Sequence, residues 1–308
     1  MSQQKGKDGF LLNIDPWLKN KIIAFLLITP ACIILFTVVA YPLMYNLIMS
    51  FQDINLLSPD TGTPFIGLQN YQDILSDPIF WRALTHTAIW VISIVGIEMF
   101  LGVSAAIILN QKIKMIGTFR GLMLIPWTIP GVVAAFTWRW MYDARFGILN
   151  HFLVQTGILD EAVAWLGNYN TALGAVILPQ IWKNFPFVMV LTLAALQSIP
   201  VELYEVAKVD GANFWQQLRY ITLPSIKPTL YLASLLTTIW SFNAFSMIWI
   251  LTEGGPAHAS EVMTTYVYKK SFHAFDFGQS TATAVIMFGI LFVFVILYGK
   301  KVFQGGEQ

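Results

Sequence analysis

Residues able to do covalent chemistry are sparse in this sequence and never grouped. The four histidines, His86, His151, His258 and His273, are scattered, and no H-E-x-x-H or G-x-S-x-G run gives them a metal or a nucleophile to work with. Cys32 is the single cysteine and lies inside an apolar run, which excludes a disulfide framework and a multi-cysteine metal site. No G-x-x-x-x-G-K-[ST] run occurs, so the chain cannot cradle phosphate by that device. Glu98 is the one carboxylate deep in an apolar stretch, where such a group either relays protons or pairs with a buried cation such as Arg139 or Lys183. Hydrogen-bonding groups do recur at helical spacing. Gln180, Lys183, Asn184 and Phe187 share one face at i, i+3, i+4 and i+7, and Thr237, Trp240, Ser241 and Ala244 repeat the pattern with Asn243 and Phe245 adjacent.

Those residues lie in a chain built for lipid. Of 308 residues 56% are hydrophobic and 11% charged, with a mean hydropathy of +0.63, whereas soluble domains carry about 25% charged residues. A hydrocarbon core about 30 Å thick needs about 20 apolar residues in helical form. Six stretches meet that rule: 22–48, 84–109, 119–141, 171–196, 226–251 and 278–298. The first is longer than a signal-peptide core and is followed by no small-residue cleavage site, so it reads as a retained span. Prolines fall inside several spans, in pairs at Pro126 and Pro130 and at Pro179 and Pro186, where they kink the helices or shape a cavity.

Basic residues divide unequally among the connecting loops. Twelve (Lys5, Lys7, Lys19, Lys21, Lys112, Lys114, Arg120, Lys208, Arg219, Lys227, Lys300, Lys301) fall on one side and four (Arg82, Arg145, Lys269, Lys270) on the other. The rule that cytoplasmic loops carry the positive charge then places both termini in the cytoplasm, along with the loop at 198–224. The outer loops, 51–83, 142–170 and 252–277, hold turn-forming clusters and are too short for a separate catalytic domain. A formal net charge of +1 gives no reason to expect a nucleic-acid partner.

The loop at 198–224 is polar and amphipathic between two apolar runs. Pro200 suits the first turn of a short helix, Glu202 and Glu205 follow near the positive end of its dipole, and Gly211 can take the left-handed conformation that ends it. An amphipathic helix lying at the membrane surface would look much the same. The spacing of Glu205, Ala207, Gly211, Ile221, Leu223 and Pro224, E-x-A-x3-G-x9-I-x-L-P, is more specific. It resembles the EAA loop of permease subunits of binding-protein-dependent ABC importers, with Val206 where that pattern has alanine. G-L-Q-N-Y at 67–71, L-Q-S-I-P at 196–200 and L-T-E-G-G-P at 251–256 resemble the carbohydrate branch, similar to the maltose, trehalose and glycerol-phosphate permeases.

That resemblance implies an all-α membrane protein of six transmembrane helices with a cytoplasmic coupling helix, the type I ABC importer permease fold. Residues 1–21 would be a cytoplasmic segment, 22–298 the permease domain including the coupling loop 198–224, and 299–308 a cytoplasmic tail. Glu202, Glu205, Ala207, Lys208 and Gly211 would meet the ATPase. The expected partners are a second homologous permease, two ATP-binding subunits that bind ATP and magnesium, an extracytoplasmic sugar-binding protein docking on the outer loops, and lipid. The chain itself would carry no cofactor and no catalytic residue, and would lie in the bacterial inner membrane. Sugars are held by hydrogen bonds to hydroxyls and by aromatic faces under their C–H surfaces. The implied solute pathway therefore runs along Gln180, Asn184, Phe187, Thr237, Trp240, Ser241 and Asn243, although amides also serve as glue between membrane helices. A proton-coupled transporter with Glu98 as its relay is the alternative of a different class, and an intramembrane enzyme has the weakest support.

Overall fold

The computed structural model describes residues 16–57, 62–111 and 114–304. The expected N-terminal segment up to residue 15, residues 58–61 of the turn cluster expected in the first outer loop, residues 112 and 113 and the last four residues of the expected tail lie outside them. Every regular element among the described residues is helical, as the hydropathy reading requires. The chain enters through α1 (Pro16–Leu35), a π-helical turn at Phe36–Ala40 and α2 (Tyr41–Met49), which form a continuous apolar span. A loop closed by the isolated bridges Gln52 to Phe65 and Asn55 to Asp276 leads to α3 (Gln69–Ser76) and the long α4 (Pro78–Leu109). Asp77 starts α4 by accepting the Ile79 N–H at 2.8 Å, with Pro78 in the first turn where its missing N–H costs nothing.

Two of the six expected spans are broken. The stretch expected at 119–141 is α5 (Ile116–Thr128) and α6 (Gly131–Met141), inclined at 92° to each other. The cause is Pro130, which has no N–H and drives the residue before it out of the helical region: Ile129 stands at ψ 130° and Pro130 at ψ 137°. The stretch expected at 226–251 is α11 (Leu223–Phe242) and α12 (Ser246–Thr252), bent by 42°. Here Asn243 ends α11 by turning its own Nδ2 onto the Ile239 carbonyl at 2.8 Å, an amide competing with the backbone. By contrast α8 (Ala172–Gln197) runs through Pro179 and Pro186 without a break. Between these spans lie α7 (Ile148–Gln155), α9 (Val201–Val209), α10 (Phe214–Gln217) and α13 (Met263–Phe272); α14 (Phe277–Gln304) is the last. Four helices, with the two bent pairs taken as one span each, give up to six crossings.

The pair α4 and α8 forms the spine of the bundle. Trp90, Ile94, Glu98, Gly102 and Ala106 make the buried stripe of α4, one residue every four. Gly102 is where the backbones come closest. A Cβ there would lie 2.6 Å from Val188 Cβ and 2.9 Å from the Met189 backbone nitrogen, so only glycine fits. Apolar clusters gather along this spine, one joining Trp90 and Ile94 to Trp138, Val176 and Ile248, another joining Ala106 to Met189, Leu193 and Ile226. The first span stands apart: its most apolar stretch has no residue buried by the rest of the chain.

Candidate functional site

Three helices bring aromatic rings to one strip. Phe187 of α8 lies 4.6 Å, centroid to centroid, from Trp240 of α11 and 6.0 Å from Trp127 of α5. Trp127 is 44% exposed and Trp240 48%, so each keeps an open ring face. Gln180 and Asn184, on the same face of α8 as Phe187, are half-buried, and neither side chain has a hydrogen-bond partner among the described residues. Open amides beside open rings can exchange hydrogen bonds and C–H contacts with a polar solute.

The α11 residues expected to share this strip do not all face it. Thr237 and Ser241 are buried: the Thr237 hydroxyl donates to the Ala233 carbonyl at 2.8 Å, and the Ser241 carbonyl accepts from Trp90 Nε1 at 2.9 Å. The Thr237 bond stays within α11, and the Ser241 carbonyl joins α11 to α4. Trp240 and Asn243 are exposed, and Ala244 falls beyond the end of α11, so the expected single face stops at Phe242. Trp127 was missed by sequence reasoning. Its one signal was a tryptophan between two prolines, Pro126 and Pro130, next to the break that brings α5 round to the strip.

Glu98 is 1% exposed, and its Oε1 has no partner. The expected ion pair with Arg139 or Lys183 is not formed. The Lys183 stem leans the other way, with Cε 3.7 Å from the position a Cβ on Gly131 would take, and Arg139 donates to the Ile250 carbonyl at 3.2 Å. Ion pairs among the described residues gather instead around α13, where Lys269 meets Glu261 at 3.0 Å, Lys270 meets Asp77 at 3.3 Å and His258 also contacts Glu261. Burial works against the ionised form of Asp77, but the hydrogen bonds from Tyr266 and the Ile79 N–H, with the charge of Lys270, hold its carboxyl below the usual range.

At the opposite end of the spine, α9 and α10 form an elbow. Pro200 is the N-cap of α9 and Glu202 lies in its first turn. Gly211 takes φ +81°, the left-handed conformation that lets the chain reverse. The turn is fastened on both sides. Ala212 N–H donates to the Ala207 carbonyl at 2.8 Å, and Asn213 and Gln216 form a reciprocal capping box at 2.8 and 3.0 Å. Tyr204 and Thr222 hydroxyls meet at 3.0 Å across the elbow. Glu202, Glu205 and Lys208 are exposed and Ala207 is half-buried, while Val209 (87% exposed) and Trp215 (73%) present uncovered apolar surface beside them.

An all-helical chain with spans broken around a polar, ring-lined strip and a rigid elbow at one end has the build of a membrane transport subunit. The sequence profile of the family described as "Binding-protein-dependent transport system inner membrane component" matches residues 98–303. The chain belongs to that family and is a permease component of such a system. It is 34% identical over 286 residues to the Escherichia coli inner membrane ABC transporter permease protein YcjO, covering 92% of this chain and 96% of that one. It is 34% identical over 278 residues to the Thermococcus litoralis trehalose/maltose transport system permease protein MalF, covering 90% of this chain and 92% of that one. For the Agrobacterium fabrum sulfoquinovosyl glycerol transport system permease SmoG, identity is 32% over 283 residues, with 91% and 90% covered. Among solved structures, a chain of a bacterial ABC transporter involved in the import of the acidic polysaccharide alginate superposes with a TM-score of 0.81 at 23% identity, covering 93% of this chain and 97% of that chain. That likeness shows the fold, a type I importer permease.

Proposed function

We propose that this chain is one of two permease subunits of an ATP-driven importer of a saccharide, a di- or oligosaccharide in particular, delivered from outside by a solute-binding protein. The observation that carries the reading is the elbow: uncovered apolar side chains interleaved with Glu202, Glu205 and Lys208 on a turn fastened at both ends. A nucleotide-binding subunit would seat on Val206, Val209 and Trp215, bury their surface and pair with those charges; Gly211 would make the turn it grips. ATP and magnesium would bind that partner. Closure of two such partners would move α9 and, through the short connection to α11, reorient the strip between inward and outward access. Both termini and the elbow would be cytoplasmic, as the distribution of basic residues supports.

The cargo assignment rests on the strip. Trp127, Phe187 and Trp240 offer ring faces, and Gln180, Asn184 and Asn243 offer amides, the combination that suits a sugar's two kinds of surface. The named cargoes of the relatives and of the structural neighbour, trehalose or maltose, sulfoquinovosyl glycerol and alginate, support a carbohydrate. Thr237 and Ser241, both buried, would not touch the solute; the Ser241 carbonyl would hold α11 to α4.

The test is uptake of radiolabelled saccharide into proteoliposomes containing the assembled transporter. Uptake should require the binding protein and ATP on the elbow side, and Glu98→Gln should leave it within about twofold, since an amide keeps the size of the carboxyl and its capacity to accept a hydrogen bond. Uptake driven by a proton gradient without ATP and abolished by Glu98→Gln would overturn the proposal in favour of proton coupling.

A further inference from the structure

Far from the elbow, the second halves of the two broken spans carry a polar cavity that the transport reading leaves without a role. α6 and α12 pack against each other, and the Arg139 guanidinium ties them by donating to the Ile250 carbonyl at 3.2 Å. Beside that tie lies a cavity of about 460 Å³, lined by Arg139, Tyr142, Asp143, Trp165 and Glu253. Its walls are set by bonds made elsewhere. Trp165 Nε1 donates to Asn150 Oδ1 at 2.8 Å, and the same buried amide donates to the Val163 carbonyl at 2.9 Å and accepts the Val163 N–H at 3.2 Å. Asp143 Oδ1 accepts the Arg145 and Phe146 N–H groups at 2.8 and 2.9 Å, which leaves Oδ2 free. Gly147 lets that turn close, since a Cβ there would lie 2.3 Å from the Asp143 carbonyl oxygen. Hydrogen-bonding capacity is left over inside these walls. The Tyr142 hydroxyl is buried with no partner, the Glu253 carboxylate is exposed and unpaired among the described residues, and Arg139 has further N–H groups beyond the one it gives to Ile250.

We propose that this cavity is a second saccharide site, separate from the ring-lined strip and on the outer side of the subunit, and that it takes neutral sugars. The assignment rests on the transport reading for the class of cargo and for which side is outer. The charges decide what fits. An anion would meet Asp143 and Glu253, and a cation would meet Arg139. A neutral polyol meets neither penalty: its hydroxyls accept from the guanidinium and donate to the two carboxylates, bonds strengthened by the charge on the protein side. Indole surface of Trp165 suits the C–H face of the same ring. Position supports a place on the solute's route. α6 and α12 each begin just past a break that borders the strip, at Trp127 and at Asn243, so the same two half-helices lead from strip to cavity.

Thiol protection in the assembled transporter tests it, with Cys32→Ser removing the native cysteine of this chain. Ala144 is exposed and lines the cavity, whereas Ile158 is exposed in the same loop and does not. The reaction of Ala144→Cys with a membrane-impermeant maleimide is followed without ATP or binding protein. Maltotriose should slow it, trigalacturonate should not, and Ile158→Cys should react at one rate throughout. Glu253→Gln should raise the half-protecting concentration about tenfold, the loss of one charge-assisted hydrogen bond. Arg139→Gln should do the same; because Arg139 also ties α6 to α12, the exposed Glu253 keeps the test decisive if that variant fails to assemble. Labelling of Ala144→Cys that ignores maltotriose would overturn the proposal, as would protection unchanged by Glu253→Gln or equal protection by trigalacturonate. Protection by sugar-free binding protein, with none by maltotriose, would overturn it by assigning the cavity to docking. ATP-driven saccharide uptake without protection would sink the outer site alone, and protection without ATP-driven uptake would sink the transport reading alone.

Discussion

Gly211 allows the strain of one backbone position to be separated from contact with a partner. It stands at φ +81°, and a Cβ built there would meet nothing within 4 Å in this chain. Within the chain, the effect of a side chain at 211 is therefore conformational only. An L-residue in the left-handed region costs about 1–2 kcal/mol, a factor of about 5–30 in the population of the reversed turn. Asparagine tolerates this region better than alanine, and a β-branched residue tolerates it worst. Strain alone predicts the order Gly211→Asn, Gly211→Ala, Gly211→Val, with the first close to wild type. The assay is co-purification of the nucleotide-binding subunit with tagged permease, with membrane insertion measured in parallel. If Gly211→Asn releases the ATPase as fully as Gly211→Val while insertion is unchanged, bulk is the obstacle and the partner touches position 211 directly. If none of the three alters co-purification or coupled ATP hydrolysis, the coupling assignment for this elbow is wrong.

Other outcomes follow from the same geometry. Gly102→Ala must part α4 and α8 by about 1 Å and should destabilise the subunit by ~1–3 kcal/mol in thermal unfolding; Val188→Gly should relieve only part of this, because the Met189 nitrogen stays 2.9 Å from the new methyl. Trp240→Ala should weaken uptake of a cyclic saccharide more than that of an acyclic polyol with as many hydroxyls, and equal losses would remove the ring-stacking role. Asp77 has a folded-state pKa below its ordinary value, so its contribution is complete above about pH 4 and lost as pH falls through the folded value. Hydrogen exchange in α13 should rise in that acid window, and Asp77→Asn should remove the pH step.

Hydropathy located the four unbroken spans and both bent pairs because lipid forces backbone groups into helices and demands apolar length, both local properties. The breaks were less legible. Pro130 ends a helix while Pro179 and Pro186 do not, and the sequence around each gives no rule for telling them apart; neighbouring helices decide. Gly211 was readable because the left-handed region favours glycine, a preference local to one residue. Trp127 was not, because its value lies in meeting Phe187, 60 residues away on another helix. For the same reason Thr237 and Ser241 looked equivalent to Trp240 until the position of α4 was known. The pairing of Asp77 with Lys270 is likewise invisible in a sequence, since nothing local links two charges so far apart in the chain.

The four residues joining α9 to α10 have mechanical meaning. With Ala212 tied back to Ala207, Gln217 Nε2 donating to the Ala212 carbonyl at 2.8 Å, and the Asn213 and Gln216 cap closing the far side, the joint has no slack to take up a displacement. A flexible joint would dissipate small movements and answer only large ones. On the proposed reading, a displacement of α9 would pass through this fastened joint to the foot of α11, and the stroke of the partner would set how far the membrane helices tilt.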